Sequence, residues 1–284
     1  MGKFLSAPII VGFTVLALLA LASVAAPLIT ALDPNAINPA LRNLRPGAVS
    51  VIDIDGVRQS VTHWCGTDRL GRDVFTRILY GIRTSLLIGI VAATLSILLG
   101  ALFGLVSGSL RWVDAIVMRI MDGIMAIPSI LLAMAIIALF KPGVVAVTLA
   151  LVFPEIPRVT RLVRSIVLSA REEEYVYAAR TLGTRPLKTV LMHIFPSTVP
   201  PVIVQGTFIC ASAMLVEAAL SFLGVGIPPE APTLGNIMAE GRQFFLLFPG
   251  LIFFPAGVLA AVVLAINLVG YGLRDSLDRQ IRDR

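Results

Sequence analysis

The chain has 284 residues, 57% of them hydrophobic and only 14% charged, with a net charge of +6. A soluble domain carries about 25% charged residues, so the composition excludes an ordinary soluble enzyme and points to a polytopic membrane protein. Aromatic residues amount to 7% and do not gather with the basic ones, which excludes a nucleic-acid surface.

A helix that crosses a membrane needs about 20 mostly apolar residues. Lys3 precedes an apolar run from Phe4 to Leu32. It is longer than a signal-peptide core and further apolar runs follow, so it reads as an uncleaved first span over 7–31. A polar loop over 32–81 comes next. Further spans are expected at 82–109, 115–140, 143–166, 198–223 and 249–273. Pro154 and Pro157 interrupt the fourth, and Arg158, Arg161 and Arg164 follow. Its lower half is expected to be a kinked helix leaving the membrane. The segment 224–248 holds Pro228, Pro229 and Pro232, with Pro249 just beyond, and reads as a turn-rich lid with neither helix nor strand.

Six spans put both ends on one side. With the N-terminus inside, the cytoplasmic side holds 14 of the 23 Lys and Arg residues, among them Lys3, Arg111, Arg119 and Arg284, and the outer side holds 9, among them Lys141. Cytoplasmic loops carry the excess of basic residues, so both termini are expected inside. The expected fold class is an all-α integral membrane protein with six transmembrane helices and cytoplasmic ends. Residues 1–81 form an N-terminal helix and extracytoplasmic loop. Residues 82–284 form the main transmembrane domain, with a cytoplasmic loop at about 167–196.

Gly100, Gly104 and Gly108 repeat every fourth residue of the second span. They form a small-residue stripe suited to close packing against another helix. Asp114, Met118 and Asp122 share a helix face, with Arg119 beside them, and suit helix caps and an ion pair. Glu217 sits in an apolar run, where a carboxylate costs about 2.5–3.5 kcal/mol to insert. It either lines a cavity or makes a structural hydrogen bond. Asn267 poses the same question in the last span. Cys65 and Cys210, the only cysteines, stand in a loop and a span and suggest no disulfide. His63 and Cys65 alone do not make a metal site. There is no G-x-x-x-x-G-K-[ST] phosphate loop, and Gly224-Val225-Gly226 runs into prolines. The run Glu172–Glu174 reads as a wet face. The chain is expected to do no covalent chemistry and to bind no metal or cofactor of its own.

The loop at 167–196 is the most informative part. Glu172 to Leu182 is polar and helix-forming, Gly183 is a helix stop, and Pro186 starts a second short helix. Ala178 and Ala179 offer a small, smooth surface for a groove. A loop this long and structured implies a partner.

Ordered blocks along nearly the whole chain resemble a known family. They are His63-Trp-Cys-Gly-Thr-Asp-Arg-Leu-Gly-Arg-Asp-Val74; Asp114, Arg119, Asp122 and Pro128; Tyr177-Ala-Ala-Arg-Thr-Leu-Gly183 through His193-Ile-Phe-Pro196; Glu217-Ala-Ala-Leu-Ser-Phe-Leu-Gly224; Gly235-Asn-Ile-Met-Ala-Glu-Gly-Arg242; and Asn267-Leu-Val-Gly-Tyr-Gly-Leu-Arg-Asp-Ser-Leu-Asp278. Together they resemble the permease subunits of dipeptide, oligopeptide and nickel ABC importers, specifically the second of two paired permeases. One position departs: the family's coupling motif usually opens Glu-Ala-Ala, and here Tyr177 takes the first place.

The resemblance implies a type I ABC importer permease fold. It implies half of a pore for peptides, a nickel complex or a related small solute. Tyr177, Ala178, Ala179, Leu182, Gly183 and Pro186 would couple to an ATPase, and ATP and Mg would bind on partner subunits. The implied partners are a second homologous permease, two cytoplasmic ATP-binding subunits, an extracytoplasmic substrate-binding protein and the lipid bilayer, with no nucleic acid. The implied location is a bacterial or archaeal plasma membrane, the inner membrane in a Gram-negative cell. Two other classes stand beside this reading: an ion-coupled secondary transporter in which Glu217 and Asp122 titrate, and a non-transporting scaffold.

Overall fold

The computed structural model describes residues 7–54, 57–140 and 143–282; Lys3, Lys141 and Arg284, counted above, lie outside them. Helix α1 (Ala7–Val24) and a single turn α2 (Ala26–Ile29) lead into the polar segment before α3. There β1 (Ala48–Ile54) and β2 (Val57–His63) pair antiparallel, with Val49 opposite Thr62 and Val51 opposite Ser60. The expected all-α fold is thus corrected by a hairpin. Its sequence signal is Asp55-Gly56 between two β-branched runs, a common two-residue hairpin connection.

Helix α3 (Val74–Ser109) begins eight residues before the expected span, because Asp73 caps it by accepting from the Thr76 N–H at 2.7 Å. That satisfies one of the free N–H groups of the first turn. The third span expected over 115–140 is instead α4 (Arg111–Met125) and α5 (Ser129–Leu139), bent by 92°. Pro128 stands directly before α5 and cannot continue the α4 ladder. By contrast α6 (Val144–Ala170) runs unbroken through Pro154 and Pro157. Its packing along α3 holds it where proline alone would end a helix.

After α6 come α7 (Glu174–Thr181), α8 (Pro186–Thr189), a π-type turn (Val190–Ile194) and α9 (Phe195–Phe222). The presumed lid contains a helix, α10 (Leu234–Gly241). Thr233 and Asn236 form a reciprocal capping box at its start, a start signal that the surrounding prolines had masked. Helix α11 (Gly250–Arg282) ends the described chain. Among the described residues, three helices are long and apolar enough to cross a membrane: Val74–Ser109, Pro186–Phe222 and Gly250–Ser276. The bent pair makes four if it counts as one span.

The glycine stripe finds its partner on α6. A Cβ on Gly104 would lie 2.7 Å from Val163 Cβ, and one on Gly108 would lie 2.7 Å from Val167 Cβ. Gly100 meets Val159 in the same way. Three glycines and three valines, both spaced by four, thus interlock along the α3–α6 seam. In lipid, helices associate through such close packing rather than through hydrophobic exclusion. Arg171 Nη1 closes the seam by donating to Gly108 O at 2.8 Å. Helix α1 lies on α11, where a Cβ on Gly12 would come within 2.8 Å of Ala265 O.

Gly104→Ile is therefore expected to destabilise the purified protein by about 1–3 kcal/mol, the usual cost of overpacking. Gly123→Ala, where a Cβ meets nothing within 4 Å, leaves the thermal midpoint in detergent unchanged. Equal midpoints for both variants would refute the seam.

Candidate functional site

The polar loop between α6 and α9 folds as its sequence predicts. Helix α7 ends in a two-bond cap: Gly183 N–H donates to Arg180 O at 2.9 Å and Thr184 N–H donates to Ala179 O at 3.1 Å. This Schellman arrangement needs a left-handed residue just past the helix, and Gly183 supplies it with φ +82°. Pro186 then opens α8 at its first turn, where its missing N–H costs nothing.

The two faces of α7 differ. Val176 and Ala179 point inward and are buried. Tyr177, Ala178, Leu182, Gly183, Pro186 and Leu187 are exposed, Leu182 at 87%. Ala179, expected on the smooth outer surface beside Ala178, instead seats the helix on the rest of the chain. The hundred-degree step between adjacent helical residues turns its methyl inward. Leu191 and Met192 of the π-type turn extend the exposed apolar surface. On a segment this polar, an apolar patch marks an interaction site.

The segment before α3 is held by a buried charge cluster that sequence reasoning did not assemble. Arg77, one turn into α3, is fully buried. Its Nη1 donates to Asp68 Oδ2 at 2.8 Å and to Glu240 Oε2 at 2.6 Å, and its Nη2 to Glu240 Oε1 at 3.2 Å. Arg72 joins the same two acids, with Nε 2.7 Å from Asp68 Oδ2 and Nη2 on Glu240. Asp68 also accepts from the Leu70 and Arg72 N–H groups, so its carboxylate shapes the turn before α3. Asp73 does double duty: besides capping α3, its Oδ1 lies 2.8 Å from His63 Nδ1, while His63 Nε2 lies 2.8 Å from Ser50 Oγ. The block His63–Val74 thus welds the hairpin, α3 and α10 together. In the sequence Arg77 is one basic residue of the 32–81 loop. The dense Asp and Arg spacing before α3 was its only signal, because its partner Glu240 lies 163 residues away.

Glu217 is fully buried on α9. Its Oε1 accepts from Ser221 Oγ at 2.8 Å and from Thr233 Oγ1 at 2.8 Å. Thr233 is the residue that caps α10, so this carboxyl fixes α10 to α9. Of the two roles left open, the geometry displays the structural bond. Asp114 and Asp122 pair across to α6 rather than with Arg119. Arg164 grips Asp114 by two bonds, one of 2.7 Å, and Arg161 Nη2 reaches Asp122 Oδ1 at 2.5 Å. Asn267 lies half-buried on α11. Among the described residues no cluster of His, Cys, Asp or Glu is arranged for a metal ion. Burial, with the Asp73 carboxylate adding to it, pushes the Cys65 thiol up to about 11, so at neutral pH it is a protonated, weakly nucleophilic thiol.

Glu240→Gln removes one of two carboxylates that neutralise two buried guanidiniums. It is expected to lower stability in detergent by about 3 kcal/mol, as breaking a buried pair does. Glu217→Gln keeps an acceptor oxygen for both hydroxyls and should match the wild-type melting midpoint. Glu217→Ala strands Thr233 and should cost about 1–3 kcal/mol. Equal midpoints for Glu217→Ala and wild type would remove the carboxyl from the α9–α10 junction.

The family model for the binding-protein-dependent transport system inner membrane component matches residues 85–283. Several curated relatives are similar over most of their length. The probable peptide ABC transporter permease protein y4tQ of Sinorhizobium fredii is 45% identical over 276 residues, 97% of this chain and 90% of that one. The dipeptide transport system permease protein DppC of Alkalihalophilus pseudofirmus is 39% identical, covering 96% and 86%. The oligopeptide transport system permease protein OppC of Bacillus subtilis is 36% identical, covering 78% and 73%. Among solved structures, the inward-facing MetNI methionine ABC transporter aligns with a TM-score of 0.58 at 20% identity, over 72% of this chain and 95% of that one; at that identity the likeness is one of fold. The chain therefore belongs to the family of binding-protein-dependent transport system inner membrane components, and is a permease subunit of an ABC transporter rather than an enzyme.

Proposed function

We propose that this chain forms half of the pore of an ATP-driven importer of peptides, and that α7, Gly183 and α8 are the element through which a separate ATPase drives it. The observation that carries this reading is the two-faced α7. On its inner face Val176 and Ala179 are buried, Val176 in the core with Val167, Ala170 and Ile194, while Tyr177, Ala178, Leu182 and Leu187 are exposed on the outer side, beside Arg180 and Arg185. A short helix held on its inner face, with apolar side chains free on its outer one, is suited to transmit motion between two arrangements. The glutamate usual at the first motif position is absent, so shape and apolar contact replace the carboxylate.

In this reading α1, α3, the bent α4–α5 pair, α6, α8–α9 and α11 make six spans, both termini are cytoplasmic, and the membrane is the plasma membrane, the inner one in a Gram-negative cell. Residues 1–81 add a docking segment to a transport unit over 82–284. A second permease completes the pore. Two ATP-binding subunits with their ATP and Mg receive the two coupling elements, and an extracytoplasmic binding protein delivers substrate to the hairpin and the α9–α10 loop. The peptide transport named in several relatives supports peptides as cargo. An ion-coupled carrier built on Asp122 and Glu217 lacks support: Asp122 is paired with Arg161 and Glu217 with the α10 cap.

Leu182→Glu together with Leu187→Glu is expected to cut peptide uptake at least about tenfold and to release the ATPase during co-purification, because two carboxylates enter an apolar contact. Both side chains are exposed, so the permease itself keeps its melting midpoint. Normal uptake with normal co-purification would overturn the coupling role.

A further inference from the structure

Between the end of α9 and the start of α10 lies a cleft of about 360 Å³, within the size range of small-molecule sites. Its walls include Phe222, Ile227 and Pro228, and its charged groups are Arg69, Glu240 and Arg242. Glu240 is already neutralised by Arg77 and Arg72. The cleft is therefore left with two exposed guanidiniums and no free acid of its own. Arg242 is held in place: its Nη1 donates to Phe222 O at 3.0 Å and its guanidinium carbon lies 5.6 Å from the Phe222 ring centroid. Only part of its donor set is used, and a guanidinium presents a planar fork that matches a carboxylate. Asn236 contributes no free donor, since its amide is spent on Ala231 O and Pro228 O. An apolar wall, two arginines and a neutralised acid make a pocket for an anionic end attached to a small apolar body.

We propose that this cleft is a carboxylate-binding subsite that takes the C-terminal carboxylate of a short peptide as it enters the pathway, with Arg242 and Arg69 as its ligands. The proposal rests on the peptide-importer reading above. The buried pair of Arg77 with Glu240 gives it a physical basis, because it removes the one negative charge that would repel the ligand while keeping α10 in place.

The test uses the complete transporter in proteoliposomes: this chain, its paired permease, the ATPases and the binding protein, with trialanine as the probe. Uptake is followed as a function of loaded binding protein. Arg69→Gln with Arg242→Gln is expected to lower the maximal rate about tenfold or more, the loss of charge-assisted bonds to a carboxylate. The concentration of binding protein giving half-maximal rate stays unchanged. Because Arg242 also bonds Phe222 O, Arg69→Glu alone is the second variant; it leaves that contact in place and should lower the maximal rate in the same sense. A wild-type maximal rate in both variants overturns the subsite. So does a raised half-saturating concentration with the maximal rate intact, which would give the arginines to an acidic surface of the binding protein. If the wild-type assembly takes up no trialanine or other short peptide, the importer reading itself falls. If it does and the variants match it, only the subsite falls.

Discussion

Removing a guanidinium from water costs several kcal/mol unless its donors find anionic partners inside the protein. Arg77 has no exposed surface, so its burial is tenable only when Asp68 arrives from the turn before α3 and Glu240 arrives from α10. That one requirement fixes the relative place of the hairpin, the first turn of α3 and the returning helix. Glu217 and Thr233 then secure the other end of α10 to α9. With its two ends held by Glu217 and Glu240, a helix of eight residues, too short to be stable alone, becomes a fixed part of this end of the molecule.

On the opposite side the constraint is steric. The Gly100–Gly104–Gly108 stripe and the Val159–Val163–Val167 stripe bring the α3 and α6 backbones together, and α6 leads directly into α7. The charges at the lower end of this pair are also spent across it: Arg161 and Arg164 reach over to Asp122 and Asp114 of α4. The second half of α6 is therefore too polar to pass as an apolar span, yet it is tied on two sides. The α7 segment that follows is thus anchored at its start by the α3–α6 seam.

Much of this was legible in the sequence. Local signals read well: Gly183 as a stop, Pro186 as a start, the glycine repeat as a packing stripe, and the apolar runs as helices. These depend on neighbours within four residues, which a sequence displays directly. The errors share a different origin. The prolines of 224–248 suggest turns, yet the Thr233–Asn236 box builds α10 there. Pro128, by contrast, stands at the 92° bend. Ala179 was placed outward because two small residues in a row look alike until the helix face is known. The charge cluster was out of reach, since pairing Arg77 with Glu240 requires the tertiary fold.

The π-type turn between α8 and α9 has a geometric effect. Phe195 N–H bonds back to Val190 O, five residues earlier, so this turn holds one residue more than an α-helical turn. An added residue rotates everything beyond it by about 100° around the axis. The azimuth of the exposed row through Leu187 is thereby set apart from that of the α9 row, whose Thr198, Val202 and Ile209 are buried. One continuous rod of 37 residues thus carries two independently aimed faces, in the manner of a crankshaft with offset throws.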